Sequence, residues 1–326
     1  MERTEVNFLS SFSDLVINEK SLFIGSCFAD NIGLKFKSLH LDAIINPLGV
    51  VFHPIPIFNL FKRAIKNHFF QPKDFFEFND YWFNYEMSGI CAKFGKKDAV
   101  DFANQKLKDL KLELMTCNRL FLTFGSSVLR EIEGKPVANC HKQPLGLFKK
   151  TISTSTEIRK YLEPILEEIL LINPSLNVSL SVSPVRHSKE GMIDNSLSKS
   201  YLIILCNELA SIHENVEYLP IYELLIDELR DYSFFNEDLV HPNKKAIDFV
   251  WERIKENLGS KNFIEFCNRS EHLLRSINHK PLLPKSKQNL MFQKKLLSSV
   301  FEHESNYGVN WHHEKKIIEN RLKISA

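Results

Sequence analysis

Short apolar runs that end in turn residues and alternate with amphipathic helical patterns constrain this fold more than any other feature of the sequence. Residues 21–24 form such a run and end at Gly25, and residues 119–125 form another that also ends at a glycine. Residues 156–172 have amphipathic helical spacing, although Pro164 predicts a kink or a division there. Apolar strands that alternate with helices favour a parallel sheet covered on both faces. We therefore predict an α/β fold with a central parallel sheet.

Length and composition indicate how the chain is divided. With 326 residues, 44% of them hydrophobic, it can form one large domain with appendages. We expect the main domain at residues 1–260 and a basic helical C-terminal extension at 261–326. A phenylalanine-rich insertion at about 52–100 either fills core or walls an apolar site.

The C-terminal extension is basic and rich in helix breakers. From Glu271 to the end it has 10 Lys/Arg and 5 Asp/Glu. Prolines and lysines interrupt its helical pattern, so we expect loosely attached helices. Most such tails are solvated, but a basic tail can also contact acidic partners or membranes.

Charge, hydropathy and cysteine spacing exclude several functional classes. A net charge of +2 gives no reason to expect a nucleic-acid partner. The N-terminus has no apolar signal segment and no run is long enough to span a membrane, so we expect a cytoplasmic protein. The six cysteines form no Cys-x-x-Cys pair, which predicts reduced thiols. No His-Glu-x-x-His pattern is present, and we expect neither a metal nor a cofactor.

Ser26, Asp238 and His241 are the residue types that acyl transfer requires. Serine is a weak nucleophile that needs a base, and the base needs a third group to fix its tautomer. Ser26 follows the first predicted strand at the start of a helix, where backbone N–H groups can face an oxyanion. Asp-x-x-His is by itself also a turn-forming pattern. Its occurrence together with Gly-Ser after the first strand favours a triad.

Gly-Ser-Cys-Phe-Ala at residues 25–29 resembles the motif that names the GSCFA family, a group of bacterial proteins similar to the SGNH (GDSL-like) hydrolases. Other segments that resemble family blocks lie at residues 46–49, 137–142, 183–187, 195–199 and 222–242. This resemblance covers most of the chain up to Gly259. It implies a flavodoxin-like three-layer sandwich. It also implies a serine esterase or O-acyltransferase that acts on a small-molecule or carbohydrate ester.

The resemblance assigns a role to each candidate residue. Ser26 is the expected nucleophile, His241 the base and Asp238 the residue that orients the base. The backbone N–H groups of Ser26 and Gly49 are the expected oxyanion donors.

The third SGNH block normally supplies an asparagine to the oxyanion hole, and this chain departs from it. Gly-Ser-Ser occupies residues 125–127 at the expected position. Asn139 is our preferred replacement for the missing amide, and Ser127 is the alternative. Loss of one oxyanion donor can cost on the order of 100-fold in rate.

Two histidines and one cysteine have alternative interpretations. His141 and His187 lie in family-like blocks and are candidates for contacts with a substrate oxygen, but a structural hydrogen bond would also explain them. Cys27 is either a small buried residue or the nucleophile of a cysteine-based enzyme. A third possibility is a non-catalytic binding or scaffold protein that keeps the pocket. The sequence does not determine the acyl group, hydrolysis versus transfer, or the oligomeric state.

Overall fold

A five-stranded parallel sheet forms the centre of the computed structural model, which describes residues 4–12 and 14–325. The strands of these residues are β1 (Ser21–Gly25), β2 (Ala43–Ile45), β3 (Phe76–Phe78), β4 (Tyr81–Phe83), β5 (Arg119–Phe124), β6 (Val128–Ile132), β7 (Lys135–Val137), β8 (Lys149–Ile152), β9 (Asn177–Val182) and β10 (Val216–Leu219).

Ten α-helices occur in the same residues. They are α1 (Cys27–Ser38), α2 (Pro54–Lys66), α3 (Lys96–Thr116), α4 (Ser155–Ile172), α5 (Met192–Ile212), α6 (Ile221–Glu223), α7 (Lys244–Leu258), α8 (Lys261–Asn278), α9 (Lys287–Tyr307) and α10 (His312–Ser325). None of these helices is both long enough and apolar enough to cross a bilayer.

The strand order places a crevice beside the end of β1. The central sheet has the order β10-β9-β5-β1-β2, with every neighbouring pair parallel. Counting only these five strands along the chain, the order is 2-1-3-4-5, which is that of flavodoxin-like sheets. The connections reverse direction between β1 and β5. In such sheets ligands bind at the carboxyl ends of the strands, next to the point of reversal.

Each face of the sheet is covered by its own group of helices. Leu22 and Ile24 point into one apolar cluster, which contains the buried faces of α2, α3, α4 and α5. Phe23, between them, points into a second cluster that contains α1, α7, α8 and α9. The alternation follows from the two-residue period of a strand. The prediction of an α/β protein with a central parallel sheet is confirmed, and the arrangement is consistent with a three-layer sandwich.

The predicted division of the helix at Pro164 does not occur. α4 is one unbroken helix from Ser155 to Ile172. Proline removes one helical N–H donor, but the buried residues Leu162, Ile165 and Ile169 continue through this position on one face. Their packing maintains the helix.

The expectation of a loosely attached extension is also wrong. α8, α9 and α10 pack into the second apolar cluster, where Phe266, Val300 and Trp311 are completely buried. A buried Ser270 Oγ also hydrogen-bonds the His303 ring across α8 and α9 at 2.7 Å. The sequence pattern missed this packing because Pro281 and Pro284 fall in the loop between two regular helices.

The turn from β1 into α1 depends on Gly25. Gly25 has φ +136°, a region that favours glycine, and a Cβ added there would lie 2.1 Å from the Thr123 carbonyl oxygen of β5. Ser26 follows as the N-cap of α1, and its Oγ accepts the Phe28 N–H at 3.2 Å. The prediction that Ser26 begins a helix is confirmed.

We predict that Gly25→Ala destabilises the protein by more than about 3 kcal/mol, because the new methyl group meets backbone and the residue is strained. Urea unfolding followed by circular dichroism measures the change. Gly146→Ala is the control: nothing lies within 4 Å of its added Cβ. Equal stability of the two variants would contradict the close approach of β1 and β5.

Candidate active site

Ser26 lies at the carboxyl end of β1, held between the ends of β5 and β2. Its N–H donates to the Thr123 carbonyl at 3.0 Å, and the preceding Gly25 N–H donates to Asn46 Oδ1 at 2.9 Å. Asn46 also donates to Asp30 Oδ1 at 2.6 Å. These bonds fix the serine turn on both sides. The Ser26 side chain is almost completely buried.

Asp238 and His241 form a direct pair. Asp238 Oδ2 lies 2.7 Å from His241 Nδ1, and its Oδ1 accepts the backbone N–H groups of Val240 and His241, both at 2.9 Å. These contacts, chiefly the backbone N–H of His241 and then its ring, lower the pKa of Asp238 to about 2. The carboxylate is therefore ionised at neutral pH. A carboxylate acceptor on Nδ1 leaves Nε2 as the basic nitrogen of the neutral imidazole.

The loop that carries the pair packs at the same edge of the sheet as Ser26. The Arg186 N–H, just after β9, donates to the Val240 carbonyl at 3.2 Å. Both β1 and β9 are parallel strands, so their carboxyl ends face the same way. Among the described residues, however, no hydrogen bond joins His241 to Ser26. About half of each side chain in the Asp238–His241 pair is exposed, whereas Ser26 is buried.

Both predicted backbone donors of the oxyanion hole are engaged within the protein. The Ser26 N–H is bound by Thr123, and the Gly49 N–H donates to the Asn46 carbonyl at 2.7 Å. Gly49 has φ +76°, and an added Cβ would lie 2.4 Å from that of Ser88. An oxyanion could use these N–H groups only if the internal hydrogen bonds opened. The oxyanion roles of Ser26 and Gly49 stay predictions.

The two candidates for the third oxyanion donor lie in different environments. Asn139 is half-buried, and its Oδ1 accepts the His141 N–H at 2.8 Å. Ser127 lies in the loop between β5 and β6, and its Oγ is buried without a hydrogen-bond partner among the described residues. The Ser127 N–H is held by Ser198 Oγ of α5 at 2.7 Å. An unpartnered buried hydroxyl next to the sheet edge makes Ser127 a better placed candidate than the sequence indicated.

His141 lies among the aromatic side chains of the β3–β4 hairpin. Its Nε2 lies 2.8 Å from the Asn84 carbonyl oxygen, and its ring contacts Phe83 and Tyr85. Burial lowers the pKa of His141. These contacts give the residue a structural explanation.

His187 is closer to the sheet edge. Its ring lies 5.2 Å from that of Phe52, and its Nε2 lies 3.3 Å from the position of a Cβ added to Gly125. The His187 N–H donates to Asn195 Oδ1 of α5 at 2.9 Å. Of the two histidines, His187 is therefore the one beside the end of β5.

Lys199 is the residue of this region whose importance the sequence analysis missed. It is 1% exposed, and its Nζ donates to the carbonyls of Gly125 and Ser183 at 2.5 and 2.6 Å. It thus ties α5 to the loops that follow β5 and β9. Burial, with a smaller contribution from the Arg186 charge, lowers the pKa of Lys199 to about 7. The family-like block at 195–199 was the available signal.

Cys27, the first residue of α1, is a poor candidate for a thiolate nucleophile. Burial and the charge of Asp30 raise the pKa of its thiol, and the smaller effect of Lys199 does not reverse this. Reactive cysteines generally have a lowered pKa.

One group of possible metal ligands occurs in the described residues, and it lies away from this edge. Glu163, Glu167 and His213 have ligand atoms within 4.8 Å of one another. His213 precedes β10, so the group lies toward the amino ends of the strands. Arg159 Nε lies 3.7 Å from Glu163 Oε2, so the guanidinium would compete with a metal ion for this carboxylate. We assign no role to this group.

The strand order and the flanking helices define a doubly wound α/β protein. Several of its candidate site residues lie at the carboxyl ends of the central strands. The sequence model of the GSCFA family matches residues 20–254, and the chain belongs to that family. The match includes Ser26, Asp238 and His241 and ends within α7. No match was found among the curated proteins or the solved structures. The relationship to SGNH hydrolases stays a prediction.

We predict that the Asp238 carboxyl titrates near pH 2 and that His241→Ala raises its pKa only part of the way to 3.8, because backbone N–H donors remain. Carbon-13 NMR of the carboxyl group measures both values. The exposed His68→Ala is the control and should leave the titration unchanged. Titration of the wild-type carboxyl at its ordinary value would contradict the pair.

We predict that Lys199→Met destabilises the protein by about 2 kcal/mol, because two buried carbonyls lose a donor. The folded lysine has a pKa near 7 and the unfolded one near 10.5. Between these values the unfolded state binds more protons, so the stability advantage of the wild type over Lys199→Met should grow as pH rises. Urea unfolding at several pH values tests this, with the exposed Lys189→Met as control. A pH-independent difference would contradict the lowered pKa.

Proposed function

We propose that this protein is an SGNH-like serine esterase or O-acyltransferase. The observation that carries the proposal is the 2.7 Å contact between Asp238 and His241, at the same sheet edge as the buried N-cap serine. A carboxylate paired with one ring nitrogen prepares the other nitrogen to accept a proton. In the proposed triad the pair supplies the base and the carboxylate that orients it, which Ser26 needs in order to act as a nucleophile.

In the proposed reaction Ser26 Oγ attacks the ester carbonyl, and its proton passes to His241 Nε2. Asp238 holds the ring and stabilises the imidazolium. The carbonyl–alkoxy bond then breaks, and the alcohol leaves with the proton from His241. Water, or an acceptor hydroxyl, attacks the acyl-enzyme and regenerates Ser26. The first outcome is hydrolysis and the second is acyl transfer.

The reaction requires His241 to approach Ser26 when substrate binds. Catalytic hydrogen bonds are often long in a free enzyme and shorten in the substrate complex. The half-exposed His241 lies on a loop, between Asn236 and Pro242, whose backbone conformation includes a left-handed Leu239 with φ +55°. The buried Ser127 hydroxyl is the proposed third oxyanion donor in preference to Asn139, because it has no other partner among the described residues.

A cleft that includes Asp238 in its lining, but neither His241 nor Ser26, is the proposed binding site for the alcohol part of the ester. It has a volume of about 490 Å³ and is lined in part by Arg186, Tyr232 and Asp238. The Tyr232 ring is largely exposed there. An exposed aromatic face beside charged side chains suits a carbohydrate ester, since the ring can cover the apolar face of a sugar.

A non-catalytic binding protein is the second candidate. It is favoured by one specific observation: the N–H groups of Ser26 and Gly49 both donate to internal carbonyls. The raised thiol pKa of Cys27 disfavours the cysteine-based alternative.

We predict that Ser26→Ala and His241→Ala each lower kcat/KM for a short p-nitrophenyl ester by at least about 1,000-fold, because nucleophile and base act as a unit. Exposed residues of the same types provide controls, and Ser305→Ala and His68→Ala should retain activity.

Three outcomes separate the candidates. Wild-type rates in both Ser26→Ala and His241→Ala would overturn the serine mechanism. Inactivation by iodoacetamide, with full activity in Ser26→Ala, would support a Cys27 enzyme. Binding of an ester ligand without turnover of that ligand would support the binding protein.

A further inference from the structure

The loop between α8 and α9 belongs to an unusually cationic segment. Residues 272–301, between Glu271 and Glu302, contain no Asp or Glu and six Lys/Arg. The six are Arg275, Lys280, Lys285, Lys287, Lys294 and Lys295. All are exposed, and none forms an ion pair with any residue that the structure describes. The segment therefore presents uncompensated positive charge to its surroundings.

The flanking acidic residues do not neutralise this charge. Glu271 already contacts Lys255 at 3.2 Å, and Glu302 contacts Arg269 at 2.6 Å. Glu265 is exposed on α8, but it lies more than two turns before Arg275. The net positive charge thus persists over the whole α8–α9 end of the molecule.

Apolar side chains project from the same surface. Leu282 and Leu283 are 93% and 68% exposed, at the tip of the loop between two prolines. They share a surface cleft with Arg275 and Phe292. Adjacent leucines as exposed as these leave apolar surface in water. An apolar partner that covered them would gain this buried apolar area.

The two helices that flank the surface are anchored in the core. Buried Phe266, Leu296 and Val300 fix α8 and α9, and with them both ends of the loop that carries the leucines. A rigid support also lowers the entropy cost of docking.

We propose that this surface docks the protein onto an anionic lipid bilayer, with Leu282 and Leu283 inserted among the lipids and the lysines against the headgroups. Exposed leucines beside six exposed cations suit the interface of an anionic bilayer, where apolar side chains meet lipid and cations meet the headgroups. Each Lys or Arg near an anionic membrane adds to the attraction. Docking is peripheral and leaves the sheet edge that carries Ser26 outside the bilayer. The surface lies outside the residues matched by the family, so the inference does not depend on the proposed activity.

Cosedimentation of the full chain with vesicles tests the proposal. The wild type should bind vesicles of equal phosphatidylglycerol and phosphatidylcholine and should not bind phosphatidylcholine alone. High salt should weaken binding, because it screens the lysines. Lys280→Gln/Lys285→Gln/Lys287→Gln should lower the partition coefficient about 100-fold, since each cation contributes roughly a factor of five. Leu282→Ser/Leu283→Ser should lower it at least about tenfold through lost insertion.

Matched controls separate this surface from general charge and hydrophobicity. Lys62→Gln/Lys73→Gln/Lys97→Gln removes three exposed lysines elsewhere, and Leu9→Ser/Leu171→Ser removes two leucines that are more than three-quarters exposed. Both should bind like the wild type. Equal binding to both kinds of vesicle would overturn the proposal. So would binding that depends on the lysines but not on the leucines, or retention on immobilised polyglutamate without vesicle binding.

Discussion

The close backbone contact between β1 and β5 at Gly25 determines how the rest of the candidate site is arranged. Only a residue without a Cβ allows the Thr123 carbonyl to lie so near, and the same carbonyl then accepts the Ser26 N–H. This contact sets where α1 begins. It places the buried serine at the point where the strand connections reverse, which is where ligands bind in sheets of this order.

The hydrogen bonds that order this turn also oppose the proposed mechanism, because they occupy the N–H groups that an oxyanion would need. Thr123 and Asn46 satisfy the N–H groups of Ser26 and Gly49, and a satisfied donor gains little by turning to an oxyanion. Catalysis would require these bonds to be exchanged as charge develops on the substrate. The Ser127 hydroxyl, which has no hydrogen-bond partner among the described residues, is the proposed donor that needs no such exchange.

The first strand, the start of the first helix and the pairing of Asp238 with His241 could be predicted from local sequence patterns. The apolar run ending at Gly25, the N-cap at Ser26 and the three-residue spacing of Asp238 and His241 each depend on neighbours in sequence. The roles of Lys199 and Asn46 could not be predicted in the same way. Lys199 acquires its partners from loops that are 74 and 16 residues away along the chain, and a lysine on a helix is normally exposed. The packing of the extension was missed for a similar reason, since Val300 and Trp311 meet their partners only in the folded chain.

In the proposed mechanism Ser26, rather than Cys27, carries the reactive atom. The most direct measurement is peptide mapping by tandem mass spectrometry after treatment with a fluorophosphonate, which reacts with a serine hydroxyl that a base has activated. We expect a single adduct on Ser26 Oγ that is lost in His241→Ala. An unmodified Ser26 in folded wild-type protein, or an adduct that persists without His241, would contradict it.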